Sequence, residues 1–99
     1  MSLYVLTDPA RRELFEIMDY IAAHSVESAN RIQQEILAAC RFVGANPHAG
    51  RPRSDLTNSS FFFWVVPQRS YLLVYDPDSK PVQILRILHG ARNLPQVLA

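Results

Sequence analysis

Residues 61–89 read FFFWVVPQRSYLLVYDPDSKPVQILRILH, and this stretch decides the fold class. Phe61 to Val66 is an unbroken aromatic and β-branched run, Pro67 to Ser70 has turn composition, and Tyr71 to Tyr75 is a second run. Two such runs across a short turn predict a β-hairpin. Asp76 to Pro81 is dense in turn formers, so Val82 to His89 reads as one more strand, closed by Gly90. The second half of the chain is therefore a mostly antiparallel meander.

Upstream the period changes. Pro47 to Ser60 has loop composition and carries Arg51 and Arg53. Before it, Ala29, Ile32, Ile36, Ala39, Cys40 and Val43 recur at steps of three and four, with Ser25 placed to cap a helix that stops near Gly44 to Asn46. Ala10, Leu14, Ile17, Met18 and Ile21 give a first amphipathic helix over roughly 9–23, with Asp8 and Pro9 suited to its N-cap and first position. The few residues between the helices require an antiparallel hairpin. Leu3 to Thr7 reads as a short opening strand. The order β-α-α-β-β-β predicts an α+β domain over residues 1–99, in two layers, with the helical hairpin covering one face of the sheet. Alternation predicts that Leu72, Val74, Leu85 and Ile87 pack on the helices, leaving Tyr71, Tyr75 and Arg86 on the uncovered face.

The chain has 99 residues, 48% hydrophobic and 19% charged, which suits one small globular domain and is too apolar for a disordered chain. One cysteine, Cys40, precludes an internal disulfide and, with no basic-then-apolar leader and no long apolar run, predicts a soluble cytoplasmic protein. Net charge is +1, but residues 1–50 hold four Arg against six acids, while residues 51–99 hold five Arg and Lys80 against three acids. An anionic partner would meet the C-terminal half.

Several candidate chemistries are weak. His24, His48 and His89 are isolated and lack metal-ligand spacing, and neither a metal nor another cofactor is expected. Cys40 sits on an apolar helical stripe, where a thiolate is disfavoured. Glu13/Glu16 and Asp76/Asp78 are explained by a solvated helix face and a turn. Trp64 suits a core, although a strand with three Phe and a Trp could also present part of a partner surface. The arginines carry the signal. Arg51, Arg53, Arg69, Arg86 and Arg92 could converge on one side of the sheet as an anion-binding surface flanked by Tyr71, Tyr75 and His89, and Arg86 interrupts an apolar strand where an unpaired charge is costly.

The order of elements and several phrases resemble the RelE/ParE superfamily of bacterial type II toxins, often called plasmid stabilisation proteins. The phrases are Tyr4-Val5-Leu6-Thr7 with Ala10 and Leu14, Ile17 with Tyr20-Ile21, Asn46 to Arg53, Tyr71-Leu72-Leu73-Val74-Tyr75, and Ile84 to Arg92, and they span nearly the whole chain. The resemblance implies a toxin neutralised by a cognate antitoxin, ParD-like or RelB-like, whose C-terminal segment folds on the toxin. RelE-like members are ribosome-dependent mRNA endonucleases, and Arg53, Arg69, Arg86 and His89 approximate a catalytic set of that kind. Here the loop has no Lys, and the tail Ala91-Arg92-Asn93-Leu94 has no Tyr. Gly50-Arg51-Pro52-Arg53 and His89-Gly90-Ala91-Arg92 are closer to the ParE-like branch, whose members poison DNA gyrase by binding it. The resemblance thus favours a gyrase-directed toxin without catalysis, which would use Arg51, Arg53, Arg69, Tyr71, Tyr75, Arg86 and Arg92 to bind its target or antitoxin, with the mRNA endonuclease as the alternative.

Overall fold

The computed structural model describes residues 2–53, 60–67 and 69–90. Strand β1 (Tyr4–Leu6) leads into α1 (Asp8–Ala22), and α2 (Val26–Ala45) returns antiparallel to it. The N-cap of α1 is Thr7 rather than Asp8: its hydroxyl oxygen accepts the Ala10 N–H at 3.4 Å, which leaves Asp8 and Pro9 in the first turn. Ser25 caps α2 by accepting the Ser28 N–H at 3.1 Å. Beyond α2 the expected loop holds a 3-10 turn at Pro47–Ala49 and a two-residue strand, β2 (Arg51–Pro52). Then come β3 (Phe62–Val65), β4 (Tyr71–Asp76) and β5 (Val82–His89).

The five strands form one sheet in the order β1-β5-β4-β3-β2. The pairs β5-β4, β4-β3 and β3-β2 are antiparallel, while β1 runs parallel to β5. Val74 opposes Arg86 but Tyr75 opposes Ile84, so Leu85 is a bulge that reverses the phase of β5 midway. Val82 and Ile84 before the bulge and Ile87 after it therefore all join the core between sheet and helices.

The strand faces correct the expectation from alternation. Tyr71, Leu73 and Tyr75 lie on the helix side, together with Ile36, Ala39, Cys40 and Val43 of α2 and Ala10 and Leu14 of α1. Leu72 and Val74 lie on the opposite side, in a second cluster with Phe63 and Leu88. Leu85, expected on the helices, is the half-buried bulge residue. Tyrosine can be buried when its hydroxyl finds partners. Tyr75 does so: its O–H donates to the Pro47 carbonyl at 2.7 Å and its oxygen accepts the Gly50 N–H at 2.9 Å. A Cβ on Gly50 would collide with that hydroxyl and with the Phe63 carbonyl, so glycine permits the contact. The bond pair fixes the chain entering β2. Trp64 also faces the helices, stacked on Phe42 with ring centroids 4.9 Å apart.

Candidate functional site

Arg86 is placed by the mismatch in length between β1 and β5. Pairing with β1 ends at Ile84, where Thr7 takes over: its N–H donates to the Ile84 carbonyl at 3.1 Å, and its hydroxyl lies 3.0 Å from the carbonyls of Ile84 and Leu85. Past the bulge, the edge of β5 meets α1 instead. There the Glu13 carboxylate accepts the Ile87 N–H at 3.0 Å, the Arg86 Nε at 3.0 Å and the Arg86 Nη2 at 2.6 Å. The hydrogen bonds it donates to Glu13 are the main reason the guanidinium is held even more firmly protonated than usual. Glu13, read from sequence as part of a solvated helix face, is instead 13% exposed at its side chain and closes a strand edge.

Arg69, in the turn between β3 and β4, is tied to the other helix. Its Nε and Nη2 lie 3.0 and 2.8 Å from Oε2 of Glu35 on α2. The two arginines thus clamp the sheet to both helices. A side chain held by a carboxylate must break that pair before it can stabilise a phosphate.

The other candidates are dispersed. Arg51 and Arg53 are exposed on and just after β2, three strand steps from β5, roughly 14 Å across the sheet. They border a hollow of about 280 Å³ together with Phe63, Trp64, Val65 and Leu72, and Val65 is 59% exposed. His89 opposes Tyr71 on the helix side, with the rings edge-on at 5.3 Å, while Arg86 opposes Val74, whose side chain belongs to the other face. Burial raises the phenol pKa values of Tyr71 and Tyr75. Arg92 lies outside the described residues. The set Arg53, Arg69, Arg86 and His89 is therefore spread over two faces and both helices, and what remains presented together is the Arg51/Arg53 edge beside Val65. Glu13 and Glu35 were missed as partners. Their signal was the requirement that a charge inside an apolar strand be paired.

Among the described residues no three His, Cys, Asp or Glu gather as a metal site, and no helix is long and apolar enough to cross a membrane. The family model describing the ParE toxin of type II toxin-antitoxin systems matches residues 4–94. The chain belongs to the ParE toxin family. A solved structure described as the chromosomal ParDE toxin-antitoxin system from P. aeruginosa is 27% identical, with a TM-score of 0.71, over 90% of this chain and 95% of that one. No curated protein matches the chain. Membership of the ParE family implies a cognate antitoxin as partner and agrees with the α+β fold described above.

Proposed function

We propose that this ParE-family chain acts in the cytoplasm by binding DNA gyrase, performs no catalysis of its own, and is silenced when a ParD-like antitoxin folds onto it. The observation that carries this reading is the engagement of Arg86 by Glu13 and of Arg69 by Glu35, which commits two of the four groups of a ribonuclease site to holding the fold. Phosphoryl chemistry needs cations aimed at one developing charge, and a protein interface does not. A strand edge with Arg51 and Arg53 beside the exposed Val65 has the composition of a binding surface, since arginine is enriched at interface centres.

The test is to express the chain without antitoxin and pulse-label with thymidine and with amino acid side by side. DNA synthesis falling first is the expected result, together with loss of supercoiling by purified gyrase when the protein is added. Protein synthesis falling first, with mRNA cleaved in translating ribosomes, would return Arg53, Arg69, Arg86 and His89 to catalytic roles. A double charge reversal, Arg51→Glu with Arg53→Glu, should weaken gyrase inhibition while leaving the fold intact, because both residues are exposed.

A further inference from the structure

The sheet has two apolar faces, and the described helices cover one of them. Both pack on the face of Tyr71, Leu73 and Tyr75, and the 3-10 turn after α2 stays on that side, where the Pro47 carbonyl accepts the Tyr75 hydroxyl. On the other face, Leu72 and Phe63 are only 5% exposed and Val74 and Leu88 only 1%, in the chain by itself. A side chain on a bare sheet face stays open to water from above, so another part of this chain lies over these four. Among the described residues, the partly buried hydrophobic side chain packed against them is Phe61.

The strand register locates the cover. Phe63 opposes Val74, Val65 opposes Leu72 and Leu72 opposes Leu88, so all five share this face. Yet Val65 is 59% exposed beside the buried Leu72. At this end of the sheet the cover therefore spans β5 and β4 and stops short of β3. The chain outside the described residues comprises Met1, 54–59, Gln68 and 91–99. Met1 precedes Leu3, whose carbonyl meets the Val82 N–H at the opposite end of β5 from Leu88. Gln68 is polar. Residues 54–59 join β2 to β3 at the Phe62 end, about 10 Å along the strands from Leu72, and contain one large apolar residue, Leu56. Residues 91–99, ARNLPQVLA, follow Gly90, two positions past Leu88, and hold Leu94, Val97 and Leu98 with a single charge, Arg92.

We propose that residues 91–99 fold back from Gly90 across β5 and β4 as an apolar strap, with Leu94 set over Leu88 and Leu72. Four residues of chain reach about 13 Å, and Leu88 and Leu72 both lie within about 9 Å of Gly90. Pro95 has no N–H to satisfy, which suits a segment crossing the strands outside their hydrogen-bond ladder. The outer face is then a second core and presents no apolar area to a partner. Binding on that side is confined to the β2 edge, with Arg51, Arg53 and Val65. This inference rests on burial and register, independently of the toxin reading.

The test uses the full-length protein with protonated Leu and Val methyl groups on a deuterated background. NOEs should link the methyls of Leu88 and Leu72 to those of Leu94. Leu94→Ser should shift the Leu88 methyl resonances and lower the folding equilibrium constant about tenfold, which matches burial of most of a leucine side chain. Leu56→Ser should leave the Leu88 resonances in place. NOEs from Leu88 to Leu56 in place of Leu94, or none from Leu88 to any residue beyond Gly90, would overturn the proposal. Should Leu94→Ser fail to fold, the NOEs of the parent protein decide alone. Neither readout involves gyrase, an antitoxin or growth arrest, so failure here is distinguishable from failure of the proposed function.

Discussion

Replacing Glu13 by Ala should cost more stability than its place on a charged stretch of α1 suggests. The carboxylate accepts from three donors, Arg86 Nε, Arg86 Nη2 and the Ile87 N–H, at 2.6 to 3.0 Å, and its side chain is 13% exposed against 29% for Arg86. A hydrogen bond to a charged group is worth about 1.5–3 kcal/mol, and a buried N–H left without an acceptor costs about 1–3 kcal/mol. Full burial of the pair would make breaking it worth about 3–5 kcal/mol. The exposure of Arg86 lowers that, because its guanidinium can turn to water. The better helix propensity of Ala returns a few tenths, so a net loss of about 2–3 kcal/mol is expected. For a domain of this size that is a fall in Tm of roughly 10–20 °C. Urea unfolding at fixed pH measures it directly. The conservative Glu13→Gln keeps an acceptor for Ile87 N–H and should lose about half as much. Combining Glu13→Ala with Arg86→Ala should recover about 1–2 kcal/mol relative to the sum of the single losses, because each single variant strands its partner. If Glu13→Ala unfolds within about 0.5 kcal/mol of the parent, the pair is a surface contact and its role in closing the edge of β5 is wrong.

Tyr75→Phe strips the partner from the Gly50 N–H and the Pro47 carbonyl and should cost about 1–3 kcal/mol in urea unfolding, with exchange at the Gly50 amide speeding up. Gly50→Ala should destabilise too, and Tyr75→Phe should rescue it only in part, because the Phe63 carbonyl still obstructs the new Cβ. Burial pushes the Cys40 thiol up to about 12, so alkylation of the native protein near neutral pH should be slow and should follow unfolding. The unfolded chain ionises this thiol near its ordinary value of about 9 while the folded chain does not. Its contribution to stability is therefore complete below about 9 and is lost as pH rises toward about 12, and a Cys40→Ala variant should lack that part of the pH dependence in matched denaturation curves. Thr7→Ala should lose about 1–2 kcal/mol through the N-cap and the bond to the Ile84 and Leu85 carbonyls, and Thr7→Ser should retain most of it.

The elements themselves were legible because each is written in its own period. The three- and four-residue steps from Ala10 to Ile21 and from Ala29 to Val43 predict the two helices to within a few residues of Asp8–Ala22 and Val26–Ala45, and Ser25 marks the start of the second. Val82 to His89 is recovered residue for residue. Two things were not legible. β2 contains only Arg51 and Pro52, has no periodicity to detect, and exists because Tyr75, more than twenty residues later, holds the chain beside β3. The facing of β4 was also hidden, because Tyr71-Leu72-Leu73-Val74-Tyr75 is apolar on both phases, so alternation cannot choose between them. Nor does a polar hydroxyl mark the solvent phase, since Tyr75 satisfies its own on the backbone of Pro47 and Gly50 and is fully buried.

The candidate site shows the same limit from the other side. That Arg86 needs a partner follows from its place in an apolar strand; which carboxylate supplies it depends on where β1 ends. With only three residues, β1 leaves the second half of β5 without a strand on the side away from β4, and α1 begins early enough to set Glu13 against that edge. A β1 longer by two residues would pair with Leu85 to Ile87, remove the need for Glu13, and leave the Arg86 guanidinium to find another anion. The length of the first strand, rather than the identity of any residue in the last one, thus decides whether Arg86 holds the fold together or is presented to a ligand. An insertion of two β-branched residues after Leu6 tests this directly: the Ile87 amide should keep its slow exchange through strand pairing, while the coupling between Glu13 and Arg86 should disappear from the double-mutant cycle.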